Sequence, residues 1–336
     1  METRIFPTDP PAAERAGVAE AVRLLEAGEV VALPTETVYG LAADATNPEA
    51  VAKVFAAKER PSFDPLIVHL PSRDALGEVA AEVCDTVARL ADEFWPGPLT
   101  FVLPKTGLVP DLVTSGMPTV AVRMSANPVF KKVARALGRP VAAPSANRFG
   151  RISPTSAAAV MEELGGRIPA VLDGGACAWG LESTIVRVQE GGPKPLITIV
   201  RAGPVTVEEL KKFGKVVVPP AGSSDAGAPG QQASHYAPRT PLRLLASPEE
   251  FVAVPGKKYA LLSYRASEKD GFVGLHAWHQ QGVLSPGSGK LPEASVRLFF
   301  VLRQLDACGA DEIICEPVPE RGLGLAIMDR LRRAAV

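Results

Sequence analysis

The chain has 336 residues, of which 46% are hydrophobic and 22% are charged. This length favours two domains, and the ordinary globular composition argues against a disordered or fibrous protein. With 36 basic and 37 acidic side chains, the formal net charge is -1. The overall charge therefore does not demand a polyanion as partner, although a local basic cleft stays open.

Four cysteines, Cys84, Cys177, Cys308 and Cys315, have no zinc-site spacing, and we interpret them as reduced structural thiols. No segment is apolar for long enough to cross a bilayer, and the first residues lack the pattern of a signal peptide. These features predict a cytoplasmic protein without membrane contact.

The first predicted element is a helix from about Glu14 to Ala27, followed by a strand over Glu29–Leu33. Asn47 followed by Pro48 is typical of a helix cap and first turn, and the helix is predicted to end near Lys58. Short β-rich runs then alternate with turns or helices, which predicts a mixed α/β sheet. These runs are LIVHL, TFVLP, PTVAVR, PVAAP, STIVRV and LITIVR.

Thr206 and Glu209 have capping-box spacing and predict a helix that closes this first unit. Gly, Pro, Ala and Ser then dominate from Pro219 to Pro241, as in a linker. Beyond it, the strand-like runs LRLLA, KYALLSY and DEIICEP and two helical segments, Pro292–Cys308 and Leu323–Arg333, predict a second small α/β domain.

The segment Pro34–Leu70 combines polar groups, turn residues and two cations around short strands. Its polar residues Thr35, Thr37 and Tyr39 follow a strand end, where open α/β sheets bind ligands. Lys58 and Arg60, one residue apart, could face a single anion. A solvated helix end is the more common explanation of a lone Lys-x-Arg pair, so context has to decide.

The segment Ala143–Pro154 contains small residues that would let backbone amides approach a phosphate or carboxylate, with Ser145 and Asn147 as polar side chains. A tight turn requires the same residue types, and helix capping explains Ser153 before Pro154.

Several strand residues are ambiguous when taken singly. His69 lies within an apolar strand, where a histidine is more often structural. Arg123 ends another strand and could clamp a carboxylate or pair with a surface acid. Ser183 and Arg201 are equally ambiguous. Phosphate-loop, nucleophile-elbow, zincin and zinc-ligand motifs are missing from the sequence, which disfavours ordinary kinases, serine hydrolases and zincins.

Together, the motifs LPTETVYGLAADA, KERPSFDPLIVHL, FWPGPLT, TVAVR, APSAN and STIVR resemble the YrdC-like family. The downstream HYAPRTPL segment and second α/β domain resemble its longer, Sua-type members, so the resemblance covers nearly the whole chain. The resemblance implies an α/β fold: a twisted mixed-sheet domain around a deep basic cavity over residues 1–213 and a linker over 214–240 that covers the active site. A smaller Rossmann-like α/β/α domain would occupy residues 241–336.

The resemblance also implies a nucleotidyltransferase, a threonylcarbamoyl-AMP synthase. It would make threonylcarbamoyl-AMP and pyrophosphate from L-threonine, bicarbonate and ATP, for the threonylcarbamoyladenosine modification of tRNA next to the anticodon. The product would pass to a tRNA threonylcarbamoyl-transfer complex, and direct tRNA contact is not required. Magnesium would accompany ATP through its phosphates, with no metal site in the protein itself.

The residues implied by the resemblance form three overlapping groups. Lys58, Arg60, Ser145 and Asn147 are the expected catalytic residues. The expected ATP side contains Lys58, Ser62, Thr119, Ser145, Ser153, Arg201, Ser234, His235 and Tyr236. The expected threonine side contains Thr35, His69, Arg123, Ala143 (through its main chain) and Ser183, with Arg123 as the carboxylate clamp.

Asp64 departs from the family pattern, because relatives commonly carry Asn or Lys at this position. A carboxylate near a triphosphate is electrostatically awkward. We therefore expect Asp64 to point away or to help hold a cation.

Two alternatives come from other functional classes. A non-catalytic module that binds double-stranded RNA or tRNA would show salt-dependent affinity without threonine-dependent ATP cleavage, and the neutral charge argues against it. An enzyme that handles carbamoyl-adenylate, as similar domains do inside hydrogenase-maturation proteins, would carry zinc-finger and carbamoyl-transfer modules that this sequence does not resemble.

Overall fold

The computed structural model describes residues 2–219 and 235–335. The chain divides into two compact units. The first contains Met1–Phe149, Pro154–Ala178 and Glu182–Gln231, and the second contains Gly150–Ser153, Trp179–Leu181 and Gln232–Val336. Two short segments that interrupt the sequence of the first unit thus belong to the second unit. The domain boundaries expected at residues 213 and 240 stay predictions.

The first unit contains a large sheet with both parallel and antiparallel strand pairs. The strands are β1 (Arg4–Pro7), β2 (Val31–Leu33), β3 (Gly40–Asp44), β4 (Ile67–His69), β5 (Leu99–Pro104), β6 (Thr119–Arg123), β7 (Val141–Ala142), β8 (Ala170–Asp173), β9 (Thr184–Gln189), β10 (Leu196–Arg201) and β11 (Lys215–Val217). They are ordered β1-β8-β2-β3-β7-β4-β6-β5-β9-β10-β11. The mixed α/β sheet expected from the sequence is confirmed.

The helices of this unit are α1 (Pro11–Glu26), α2 (Pro48–Lys58), α3 (Leu76–Val79), α4 (Asp85–Phe94), α5 (Asp111–Thr114), α6 (Pro128–Leu137), α7 (Ala157–Leu164) and α8 (Val207–Leu210). They cover both faces of the sheet. Alternate residues of a strand point to opposite faces and therefore belong to different cores. In β2, Val31 and Leu33 join a core with α1 and α6, whereas Ala32 joins the core formed with α2, α4 and α7.

Helix α2 begins and ends where its sequence predicts. The Asn47 side chain accepts hydrogen bonds from the backbone N–H groups of Glu49 and Ala50, and Pro48 occupies the first turn. Glu59 ends the helix in the left-handed conformation at φ 52°, which turns the chain sharply directly after Lys58. The capping box of Thr206 and Glu209 is also present, but the helix it begins has only one turn, Val207–Leu210.

The second unit contains four parallel strands, β12 (Leu242–Leu244), β13 (Tyr259–Ser263), β14 (Gln280–Val283) and β15 (Glu312–Cys315), in the order β12-β15-β13-β14. Helices α9 (Leu291–Asp306) and α10 (Leu323–Ala334) pack on each other and on this sheet. Short 3-10 helices over Pro248–Glu250, Glu268–Asp270 and Val273–Leu275 belong to the same unit, and Phe272, Val273 and Tyr259 share an apolar cluster. The parallel order confirms the expected α/β class.

The four cysteines are free thiols. No helix in residues 2–219 or 235–335 has the length and apolar character needed to cross a membrane.

Candidate active site

The loop between β2 and β3 is a buried polar turn. The hydroxyl of Thr35 donates to the carbonyl of Val38 at 2.6 Å and accepts from the backbone N–H groups of Thr37 and Val38 at 3.1 and 3.2 Å. These local bonds satisfy backbone groups that burial would otherwise leave unpaired. The turn therefore fixes the positions of Glu36 and Thr37.

Arg123 ends β6 and reaches this turn. Its guanidinium donates to Glu36 Oε1 at 2.6 Å and to the hydroxyl of Thr37 at 3.1 Å. The other carboxylate oxygen of Glu36 accepts from the hydroxyl of Ser125. Burial lowers the pKa of Arg123 and Glu36 opposes that shift, but an arginine stays charged at neutral pH. In the described part of the chain, Nε of Arg123 is buried without a hydrogen-bond partner.

His69 ends β4 and lies opposite Arg123 in the parallel register of β4 and β6. Its ring packs on Phe130 with 4.6 Å between ring centroids. Burial, and then the charge of Arg123, hold the pKa of His69 well below its usual range. The imidazole is therefore neutral at pH 7. Its Nδ1 atom is buried and has no hydrogen-bond partner among the described residues.

Lys58 is the last residue of α2, and its ammonium group reaches the Ala143–Pro154 segment. Nζ donates to the carbonyls of Ser145 and Asn147, both at 2.5 Å. Only 1% of Lys58 is exposed. Burial and then the charge of Arg60 hold the pKa of Lys58 well below its usual value. This residue is not the solvated helix end that a lone Lys-x-Arg pair suggests.

Arg60 lies in the loop after α2 and is also buried. Its Nε donates to the carbonyl of Asp64 at 3.0 Å, and Nη2 donates to the carbonyl of Pro65 at 2.8 Å. The same Nη2 forms an ion pair of 2.9 Å with Asp64 Oδ2. Asp64 therefore pairs with Arg60 itself, one of the expected catalytic residues.

Ser183 and Arg201 form a third cluster. The Ser183 hydroxyl lies 2.7 Å from that of Thr100. Arg201 donates to the Ser183 carbonyl at 3.0 Å and to its hydroxyl at 3.1 Å. A residue expected on the ATP side thus contacts one expected on the threonine side.

Strand register places the remaining first-unit residues. Ala143 donates its backbone N–H to Ile67 at 2.9 Å, and Ile67 lies opposite Ala121. Thr119, two residues before Ala121, therefore lies at the end of β6 towards Ala143 and away from Arg123. Ser145 forms an isolated bridge with Gly40. Ser62 is exposed in the loop after α2.

Three expected ATP-side residues belong to the second unit: Ser153, His235 and Tyr236. Within it, the Tyr236 ring stacks on Phe299 with 5.6 Å between centroids, and His235 donates its backbone N–H to the carbonyl of Arg333 at 3.2 Å. Ser234 lies outside the described residues.

Sequence reasoning missed Glu36 and Ser125, which surround Arg123. The available signal was a glutamate between two threonines, directly after a buried strand. An acid at such a position is expected to be paired when it is buried.

The described residues contain no group of three or more His, Cys, Asp and Glu side chains that could hold a metal ion.

Two family models match the chain. The Sua5/YciO/YrdC model, described as telomere recombination, matches residues 23–203, and the model described as threonylcarbamoyl-AMP synthase, C-terminal domain, matches residues 205–336. Curated threonylcarbamoyl-AMP synthases are similar to this chain: that of Pyrococcus abyssi is 40% identical, over 94% of this chain and 93% of its own. That of Bacillus subtilis is 38% identical, over 95% of this chain and 92% of its own.

Solved structures agree. The crystal structure of P. abyssi Sua5 complexed with L-threonine has a TM-score of 0.86 and 37% identity, and the match covers 99% of this chain and 98% of that one. Escherichia coli YciO, at 21% identity and a TM-score of 0.51 over 63% of this chain and 99% of its own, shares the fold of the first unit. Matches of this extent in both domains place the chain in the threonylcarbamoyl-AMP synthase family.

Proposed function

We propose that this chain is an L-threonylcarbamoyladenylate synthase, which converts L-threonine, bicarbonate and ATP into threonylcarbamoyl-AMP, pyrophosphate and water. The observation that carries the proposal is the 40% identity to a curated threonylcarbamoyl-AMP synthase over 94% of the chain. The buried cations of the first unit support it, because three small anionic reactants need compensating charge.

The threonine side would be built around Arg123. Its guanidinium is pre-oriented by Glu36 and Thr37, and its buried Nε–H has no partner in the described part of the chain, so it is available to a carboxylate. The neutral imidazole of His69 lies beside it and can exchange a hydrogen bond with a substrate without repelling an ammonium group. Thr35, Ser183 and the main chain of Ala143 complete this proposed side.

The nucleotide side would be built around Lys58 and Arg60, with Ser62, Thr119, Ser145, Asn147 and Arg201 as further contacts from the first unit. Ser153, Ser234, His235 and Tyr236 would contribute from the rest of the chain. Both cations are buried and bonded to carbonyl oxygens. A phosphate would therefore take over, or add to, hydrogen bonds that the protein already makes.

The chemistry requires no protein nucleophile. The threonine amine adds to the carbon of bicarbonate and water leaves, which gives a carbamate. A carbamate oxygen then attacks the α-phosphorus of ATP, and pyrophosphate leaves. The protein aligns the reactants, neutralises phosphate charge and excludes water from the labile anhydride. Magnesium, bound mainly through the phosphates, would add to that neutralisation.

The product would pass to a protein complex that transfers the threonylcarbamoyl group to tRNA. The cytoplasmic location expected from the sequence stays a prediction. The RNA-binding alternative is disfavoured, because the full-length relatives are named as synthases.

Mass spectrometry of a reaction with isotopically labelled bicarbonate, ATP and threonine tests the proposal. We expect a product that carries the label together with both the threonine and the AMP masses, and none when any one substrate is omitted. Salt-dependent tRNA binding without this product would instead favour the RNA-binding alternative.

A further inference from the structure

The loop after α2 folds around the Arg60 side chain. Two of its carbonyls, those of Asp64 and Pro65, accept hydrogen bonds from the guanidinium, and the Asp64 carboxylate adds the 2.9 Å ion pair. The Arg60 and Asp64 side chains are 4% and 2% exposed. The Phe149 ring centroid lies 6.0 Å from the guanidinium carbon. Arg60 is thus fixed from several directions, and Asp64 is the charged member of this set.

Lys58 lies in the same charged environment. The groups that act on its ammonium are Arg60 and Asp64 from the loop and Glu163 from α7, together with the carbonyls of Ser145 and Asn147. Glu163 also accepts, at 3.4 Å, from the backbone N–H of Arg148. Burial and Arg60 both favour the neutral amine, whereas Asp64 and Glu163 favour the ammonium.

Two buried cations so close in sequence need a counter-anion if both are to stay charged. Asp64 is suited to this task, because it contacts one cation directly and acts electrostatically on the other. We propose that Asp64 is a positioning residue for the phosphate side, whose carboxylate fixes the Arg60 guanidinium and is the counter-anion of the buried cations. This inference rests on the proposed function, in which both cations face the phosphates.

The inference explains why a carboxylate can stand beside a triphosphate site. Asp64 does not have to contact phosphate, because its charge is compensated by Arg60. The negative charge of Asp64 weakens the local attraction for ATP. Without this charge, however, the buried Lys58 ammonium loses its proton at a lower pH. The retained lysine charge compensates for that weaker attraction.

The test is Asp64→Asn, with kcat/KM for ATP measured as a function of pH. Asparagine keeps the shape but removes the charge, so Lys58 should lose its proton at a lower pH than in the wild type. Turnover that depends on the ammonium should then fall earlier as pH rises. We expect the alkaline limb of the profile to move towards lower pH, because the loss of an opposite charge favours the neutral amine.

Asp44→Asn is the matched control. Asp44 is a buried carboxylate at the end of β3 that pairs with Arg139 at 2.8 Å, and it is not among the groups that act on the Lys58 ammonium. Its loss should lower the thermal midpoint without moving the pH profile. If Asp64 served only to stabilise the fold, Asp64→Asn would likewise lower the thermal midpoint without moving the pH profile. An unmoved alkaline limb in folded Asp64→Asn therefore overturns the inference.

If Asp64→Asn does not fold, Asp64→Glu decides. It keeps the charge but moves it by one methylene, so we expect the KM for ATP to rise several-fold with the KM for threonine unchanged. A wild-type KM for ATP would then overturn the inference. The proposed function is judged separately, because it fails only if the wild-type protein shows no threonine-dependent pyrophosphate release.

Discussion

A guanidinium can stay buried only where other groups compensate its charge and accept its hydrogen bonds. Glu36 and Thr37 do this for Arg123, and the geometry they impose leaves the buried Nε–H without a partner among the described residues. A pre-oriented donor loses little entropy when a ligand binds. Arg123 is therefore the residue on which threonine affinity should depend most.

We expect Arg123→Ala to weaken threonine binding, measured by isothermal titration calorimetry. A hydrogen bond to a charged group contributes about 1.5–3 kcal/mol, which is roughly 10- to 150-fold in affinity. The variant also leaves Glu36 without its cation, so binding should be measured where circular dichroism shows a folded protein.

The control for this experiment is Arg139→Ala. The Arg139 side chain is 52% exposed and pairs with Asp44, so threonine affinity should stay at the wild-type value. An unchanged affinity in Arg123→Ala itself would remove this residue from the proposed threonine side.

Lys58 and Arg60 should matter to turnover. Because the loss of Arg60 leaves the buried Asp64 carboxylate without its cation, turnover is compared on protein that circular dichroism shows to be folded. We expect Lys58→Ala and Arg60→Ala each to abolish threonine-dependent pyrophosphate release, because neither variant can neutralise phosphate charge at its position. Lys53→Ala, on the same helix as Lys58, is the control: the Lys53 side chain is 44% exposed and its ammonium pairs with Glu29. Near-normal turnover by both purified active-site variants would reject the phosphate role.

At the scale of elements, α2 connects local sequence to the site. Its amino-terminal cap is Asn47 and its last residue is Lys58. The cap satisfies backbone N–H groups that the helix itself cannot pair. The stability of this helix thus supports the position from which the Lys58 side chain extends.

Asn47→Ala should lower the free energy of unfolding by about 1 kcal/mol, the usual effect of losing a cap. Urea denaturation monitored by circular dichroism measures it. Asn47→Ser, which keeps a capping oxygen, should recover most of the loss. If the alanine variant unfolds at the wild-type urea concentration, the two hydrogen bonds from Glu49 and Ala50 do not stabilise the helix.

Sequence patterns predicted the elements whose ends are marked by residues a few positions apart in the chain. The cap of α2 is one example, and the capping box at Thr206 is another. Strand β3, with the sequence GLAAD, is buried at every position and so has no alternation to detect. Helix α6 was missed although Asn127 and Pro128 repeat the cap of α2, with Asn127 accepting from Val129 and Phe130.

At the scale of the whole molecule, the site depends on contacts that no local pattern contains. Lys58 and Ser145 are 87 residues apart in the chain, and so are Arg123 and Glu36. Residue types suggested an anion site at each segment separately, but only the family resemblance grouped them. Asp64 was expected to point away or to help hold a cation, but that Arg60 would be this cation was not foreseen, because burial decides whether two nearby charges pair or separate.

The separate cores of the two units have consequences for stability. Phe299 of α9 is fully buried and stacks on Tyr236 within the second unit. Phe101 of β5 and Val122 of β6 are buried in a core of the first unit. Truncating Phe299 should therefore affect the second unit locally, because a cavity weakens the contacts of the core that contains it.

We expect Phe299→Ala to cost about 3–5 kcal/mol and to increase hydrogen exchange in β13 and β15 while β5 and β6 keep their protection. Phe300→Ala is the control, since the neighbouring side chain is 52% exposed and its truncation should change stability by no more than about 0.5 kcal/mol. Equal loss of protection in β5 and β6 would show instead that the two cores unfold as one cooperative unit.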